Sequence, residues 1–263
     1  MATALIDTHC HLTSKELFER RQQVIADAVA AGVTRMIEIA CTPADLEPAL
    51  QLQREFPQQV LLAAGIHPHE AGKVTEKDIQ RFARLWHENK AIVAIGEIGL
   101  DYHYDFSPRD VQQAVFRNQL DLASDTSLPI VIHCRKAHGD VVRILKEHGY
   151  ASRQVVFHCF SSSAEQAAEL RSLGWWTSFT GVVTFKNARD TQQACVETPD
   201  DMLMFETDCP YMTPEPIRKV RPNEPQYLVH TVRFAAALRG TSFEKLAEQA
   251  TASALRFFKV PLW

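Results

Sequence analysis

Three observations in the 263-residue chain predict an α/β fold, a (β/α)8 TIM barrel. Short β-rich runs occur at about 3–8, 35–40, 60–66, 92–97, 129–133, 154–158, 175–180 and 202–207, separated by stretches with apolar residues three and four apart. The runs are apolar nearly throughout, which suits parallel strands buried on both faces. Polar residues able to bind a metal or a phosphate end the first, third, fourth, fifth, sixth and eighth runs. The rim of a closed parallel ring is where side chains from so many separate strands converge. The alternation alone is shared with an open doubly wound sheet; the distribution of strand-end residues favours the ring.

In chain order, Ala4-Leu5-Ile6 leads to His9 and His11, and Leu17, Val24 and Ala28 mark the first helical face. The third run leads to His67. Ile92-Val93-Ala94-Ile95-Gly96 leads to Glu97, and Val111, Val115 and Leu122 mark the helical face that follows. Ile130-Val131-Ile132 leads to His133, Val155-Val156-Phe157 to His158, and Met202-Leu203-Met204-Phe205 to Asp208. A loop from Pro210 to Pro225 holds five of the 13 prolines. Two helical segments follow it, the second with Phe243, Leu246, Ala250, Ala254 and Phe257 at helical spacing. One domain over residues 1–263 accommodates all of this.

A hydrophobic content of 46% with 23% charged residues is ordinary for a globular protein with a large core. The formal charge of −4 argues against a broad nucleic-acid-coating surface but permits a local basic mouth. Asp7 and His9 interrupt the first apolar run early, and no stretch approaches the ~18–20 apolar residues that span a bilayer. A cytoplasmic setting with no membrane partner is therefore expected. The six cysteines show no CxxC spacing. Cys10, Cys134, Cys159 and Cys209 each follow a strand-end residue, and strand alternation points them away from it, as small buried hydrophobes under the helices.

The strand-end set reads as the ligand set of a metal-dependent hydrolase. His9 and His11 are two apart and point to one side of an extended strand, so both can hold one ion. An HxH pair alone is a weak signal; its place after a buried run and Asp7-Thr8 strengthens it. Glu97 lies between glycines that permit close backbone approach, and its two oxygens can bridge two ions. A buried glutamate needs a compensating partner, which two cations would supply. His133 and His158 close consecutive strands and join Glu97 around the second ion. Asp208 closes the eighth strand beside the first and reaches the ion of His9 and His11. Glu206 faces inward and can orient a ligand histidine.

Two divalent ions set against Glu97, Asp208 and a hydroxide leave about one positive charge, which favours an anionic phosphodiester. Asp208 is the expected base for the attacking water, with Glu206 as its rival deeper in the barrel. Phosphate contacts are expected from His67 and Arg135, and from the basic residues of the proline-rich loop, Arg221 among them. His67 is expected to be too exposed to serve as a primary ligand. Lys186 and Arg218 are further candidates, and for Lys219 a solvated surface charge is the simpler reading. Histidine with carboxylate suits zinc or manganese, while magnesium prefers more oxygen.

Six ordered motifs carry a family resemblance. Asp7-Thr8-His9-Cys10-His11-Leu12, Gly65-Ile66-His67-Pro68-His69, Gly96-Glu97-Ile98-Gly99-Leu100-Asp101, Pro129-Ile130-Val131-Ile132-His133, His158-Cys159-Phe160-Ser161 and Glu206-Thr207-Asp208-Cys209-Pro210-Tyr211 resemble the TatD-type metal-dependent deoxyribonucleases of the amidohydrolase-like superfamily. The similarity spans essentially the whole chain and includes Ser178-Phe179-Thr180-Gly181 and Asn223-Glu224-Pro225. It implies a two-metal barrel that hydrolyses DNA, sometimes RNA, often as a 3′-to-5′ exonuclease. It maps His9, His11, Glu97 and Asp208 to one ion and Glu97, His133 and His158 to the other. Ser162, Lys136-Ala137-His138 and Pro222 depart from the family pattern; none is a ligand, and they bear on substrate preference. Two rivals stand beside this: a C–N hydrolase of the wider superfamily, and a catalytically silent nucleic-acid-binding barrel. Glu97 on the fourth strand argues against the hydrolases that bridge their metals with a modified lysine there.

Overall fold

The computed structural model describes residues 4–261. The strands are β1 Leu5–Cys10, β2 Val33–Ala40, β3 Val60–Ala64, β4 Ile92–Asp101, β5 Ile130–Arg135, β6 Val155–Phe157, β7 Trp176–Phe179 and β8 Leu203–Phe205. All eight expected runs form strands; residue 3, where the first was expected to begin, lies outside the described residues. Each strand pairs in parallel with the next in sequence. The ring closes at the rim, where the Asp208 N–H donates to the His9 carbonyl at 3.0 Å and the His11 N–H donates to the Cys209 carbonyl at 2.9 Å. The fold is a TIM barrel.

The helices are α1 Lys15–Phe18, α2 Arg21–Ala30, α3 Leu46–Glu55, α4 Glu76–Glu88, α5 Arg109–Ala123, α6 His138–Glu147, α7 Ala164–Ser172, α8 Arg189–Glu197, α9 Leu228–Leu238 and α10 Phe243–Phe258. No helix among the described residues is long and apolar enough to cross a membrane. The main core fills the layer between strands and helices. A second cluster lies inside the ring, where Ile6, Ile37, Val93, Val131, Val156 and Met204 meet Phe257 and Phe258 of α10. Ile6, Val93 and Val131 are each the second residue of their strands, at the end away from Glu97 and His133, so α10 plugs that mouth of the barrel with hydrocarbon. Polar chemistry is left to the other mouth.

Two departures from the sequence expectations matter for the site. β4 runs four residues beyond its expected end at Glu97. Its register sets Gly99 against His133 and Asp101 against Arg135. A Cβ on Gly99 would stand 2.0 Å from the His133 carbonyl oxygen, and φ there is +143°. Glycine thus lets β4 continue in contact with β5 and carry Asp101 up to the rim. The buried face of α5 is also not the stripe of Val111, Val115 and Leu122, which are only half-buried, but Gln112, Phe116, Gln119, Leu120 and Ala123. The glutamines are inside because their carboxamides satisfy strand-end backbone groups. Gln112 accepts from the Asp101 N–H at 2.8 Å and donates to the Asp101 carbonyl at 3.0 Å. Gln119 does the same for Ile66, at 2.7 and 3.1 Å.

Candidate metal centre

The open mouth holds a cavity of about 620 Å³, lined by His11, His67, Glu97, His133, His158 and Asp208 among others. Glu97 stands at its centre. Its Oε1 lies 2.6 Å from both His133 Nδ1 and His158 Nε2 and 3.4 Å from His67 Nε2, while Oε2 lies 3.3 Å from His9 Nε2. Asp208 Oδ1 lies 3.4 Å from His11 Nε2 and 3.8 Å from His9 Nε2. His11 falls just beyond β1, yet it meets the same carboxylate as His9. The six residues expected as ligands are therefore all brought together.

The groups His9–His11–Asp208 and Glu97–His133–His158 each gather donor atoms close enough for one cation. The test of fit is His9. Its ring is fully buried, stacks on the His158 ring at 3.8 Å, and makes no hydrogen bond from either nitrogen among the described residues. Burial first, then His158, disfavours a proton on it. A buried neutral imidazole with an idle lone pair facing two carboxylates is what a cation requires of a ligand. Burial also opposes charge on Glu97 and Asp208. The neighbouring imidazoles overcome it, His158 foremost for Glu97 and His11 foremost for Asp208, and hold both carboxyls below the usual range.

A third histidine group, His67–His69–His133, behaves differently. His67 Nδ1 accepts the His69 N–H at 3.1 Å, so the neutral ring carries its proton on Nε2 and presents a donor. Burial pushes its pKa down to about 4 against the opposing pull of Glu97. His67 is also more buried than expected, its side chain 13% exposed. It therefore faces the pocket as a neutral donor, and its protonated Nε2, not its exposure, sets it apart from the ligands.

Asp101 was legible in the sequence only as part of a motif. It is fully buried, and Oδ2 lies 3.0 Å from His133 Nε2 and 2.9 Å from His69 Nε2. Its other oxygen accepts the His103 and Tyr104 N–H groups at 2.8 and 3.0 Å. The signal was there in the strand period: residues 97, 99 and 101 share one face once β4 is extended. Asp7 was likewise passed over. It accepts from the Thr207 N–H at 2.9 Å and the Thr207 hydroxyl at 2.5 Å, and so fastens β1 to the segment carrying Asp208. Glu206 sits behind His158, 3.3 Å from its Nδ1, and accepts the Cys159 N–H at 2.5 Å.

Among the expected phosphate contacts, Arg135 lines the cavity with its guanidinium over the Tyr104 ring. Arg221 is not brought into the pocket: its guanidinium donates to the Arg218 and Val220 carbonyls of its own loop. Arg218 lies over the Phe185 ring. The cysteines divide. Cys10 and Cys209 are buried as expected, but Cys134 and Cys159 are half-buried and line the cavity: Cys134 is next to last in β5, at its open end, while Cys159 lies beyond β6, where strand alternation no longer applies. Cys159 has φ +45° and lies outside β6.

Comparison with known proteins gives one consistent answer. The model of the TatD related DNase family matches residues 6–259. A protein of Bacillus subtilis named as the uncharacterized metal-dependent hydrolase YabD is 41% identical over 256 residues, covering 97% of this chain and 99% of its own. The 3′-5′ ssDNA/RNA exonuclease TatD of Erwinia tasmaniensis is 33% identical over 260 residues, covering 97% of this chain and all of its own. The crystal structure of YJJV, a TatD homolog from Escherichia coli, superposes with a TM-score of 0.92 at 27% identity, over 99% of this chain and 100% of that one. The chain belongs to the TatD related DNase family and is a metal-dependent hydrolase acting on ester bonds.

Proposed function

We propose that the protein hydrolyses phosphodiester bonds of DNA, and of RNA, as a 3′-to-5′ exonuclease on single strands, with two divalent cations, zinc or manganese, in the pocket. The observation that carries this is Glu97, one carboxylate whose two oxygens face the two ligand groups. His9, His11, Asp208 and Oε2 of Glu97 would hold one cation; His133, His158 and Oε1 would hold the other. Cations bound there lower the pKa of a water and offset phosphate charge. The rest falls to the protein. Asp208 takes the proton of the attacking water on a carboxylate oxygen. His67 donates its Nε2–H to a non-bridging oxygen, and Arg135 at the rim supplies a second contact. The relative named as a 3′-5′ ssDNA/RNA exonuclease supports the substrate class and the polarity.

The test is nucleotide release from 3′-labelled and 5′-labelled single strands, with and without chelator, beside a duplex and a cyclic amide. Chelator-sensitive release from the 3′ end of the single strand is expected. Turnover of the cyclic amide with inert oligonucleotides would overthrow the proposal.

Asp101 gives a sharper check on the ligand assignment. Its Oδ2 fixes the His133 ring through Nε2, which leaves Nδ1 towards Glu97. Asparagine keeps an acceptor for the His103 and Tyr104 N–H groups but turns an NH2 towards His133. Asp101→Asn is expected to weaken cation binding by about 10- to 100-fold, the usual effect of removing a ligand's supporting carboxylate. Metal titration followed by calorimetry measures it, and unchanged affinity would remove Asp101 from the site.

A further inference from the structure

Three aromatic side chains are exposed among the described residues, and all three stand at this one mouth. Tyr104 is 47% exposed, Phe106 63% and Tyr211 59%. Tyr104 and Tyr211 line the cavity. Phe106 is stacked on Tyr104, with ring centroids 5.3 Å apart and planes 9° from parallel. The His69 ring meets both edge-on, at 5.6 Å from Tyr104 and 4.8 Å from Phe106. The Arg135 guanidinium lies 4.7 Å from the Tyr104 centroid. Tyr211 belongs to the other flank, near His11 at 6.5 Å. Single exposed apolar residues are commonplace, but a stacked pair with a cation at the rim of a polar pocket is a prepared surface.

The segment that carries the pair is held in place. Asp101 accepts the Tyr104 N–H, Ser107 is buried and donates to the His69 carbonyl at 3.0 Å, and Gln112 donates to the Ser107 carbonyl at 2.9 Å. Exposed rings on an anchored segment lose little freedom when a flat ligand settles on them. The ligand must be flat, apolar on its faces, and tied to an anion that enters the cavity. A nucleobase on its sugar-phosphate chain has all three properties.

We propose that Tyr104 and Phe106 form a stacking platform for a nucleobase of the bound single strand, with Arg135 beside it, while the adjoining phosphodiester enters the pocket. This rests on the nuclease reading above and adds to it the surface that selects single strands. Bases in a duplex already have both faces covered, so only an unstacked base can use the platform. Stacking ignores base edges, and the site should therefore tolerate every sequence.

The test compares a single-stranded oligonucleotide with one carrying abasic tetrahydrofuran residues at its last two 3′ positions. Cleavage is measured on the phosphodiester strands, and binding by anisotropy on phosphorothioate versions that resist hydrolysis. Wild type should favour the base-bearing strand. Phe106→Ala and Tyr104→Ala should erase that preference, each weakening binding of the base-bearing strand by about 10-fold, in line with stacking lost from one base. Phe106→Ala should leave the abasic strand unaffected, and Phe106→Trp should restore the preference. Equal binding of the two strands by wild type, or equal losses on both strands in Phe106→Ala, would overturn the platform. A binding preference that vanishes in Phe106→Ala, in a protein that cleaves neither strand, would uphold the platform and refute the nuclease reading.

Discussion

Glu97→Ala should lower turnover by several orders of magnitude and abolish cation binding, whereas His67→Ala should leave cation binding intact and lower turnover far less. The difference follows from what each side chain touches. Glu97 is within 3.4 Å of four imidazoles and faces both donor groups. Without it each group loses an oxygen ligand at once, and two cations would approach each other with no anion between them. His67 offers one N–H to the pocket, and its loss removes one phosphate contact, worth about 1.5–3 kcal/mol as a hydrogen bond to a charged group. Two measurements check this. Kinetics on one oligonucleotide ranks the variants. Thermal unfolding against added zinc or manganese shows whether the native state still binds cations, since a ligand specific to the folded state raises the midpoint. Glu97→Gln, which keeps the volume, should give wild-type unfolding in chelator but no upward shift with metal. A Glu97→Ala protein that turns over like wild type would end the shared-carboxylate account.

The barrel and its six central residues were legible in the sequence because each obeys a local rule. Apolar runs of strand length are interrupted at the rim by residues that can bind a cation, and alternation puts His9 and His11 together. What escaped lies where local rules give way. Asp101 was hidden because Glu97 looks like a strand end; only the two glycines, which let β4 pass close to β5, make the longer strand possible. Gln112 and Gln119 look like surface residues by polarity, yet their carboxamides serve backbone groups that only the assembled barrel leaves unpaired. Cys159 was misplaced by extending strand alternation past the end of β6, and Cys134, though still in β5, stands so near the open end that it borders the cavity. The aromatic rim was invisible for a different reason. Tyr104, Phe106 and Tyr211 fall in loops, and loop residues acquire a common purpose only when the fold sets them around one opening.

Asp208→Asn should lose turnover by several orders of magnitude while still binding oligonucleotide and at least one cation, and Glu206→Gln should retain much more activity. Three features of the site separate these neighbours. Asp208 lines the cavity, with its side chain 12% exposed, whereas the Glu206 side chain is 1% exposed and lies behind His158. The surrounding imidazoles, His11 foremost, outweigh the effect of burial and hold the Asp208 carboxyl below its usual range, so it stands ionised at neutral pH. Both oxygens of Glu206 already have tasks, one with the Cys159 N–H and His158 Nδ1, the other with the Thr8 hydroxyl at 3.4 Å. An amide in place of Asp208 keeps an oxygen towards His9 and His11 but cannot take up a proton, so binding should outlast turnover. An amide in place of Glu206 should loosen His158 and appear chiefly as weaker cation affinity, recoverable at high metal concentration. Single-turnover cleavage across a metal titration distinguishes the two roles. If Glu206→Gln is inactive with its cations bound and Asp208→Asn turns over normally, the base is Glu206, and the water must enter deeper in the barrel than the cavity around Asp208.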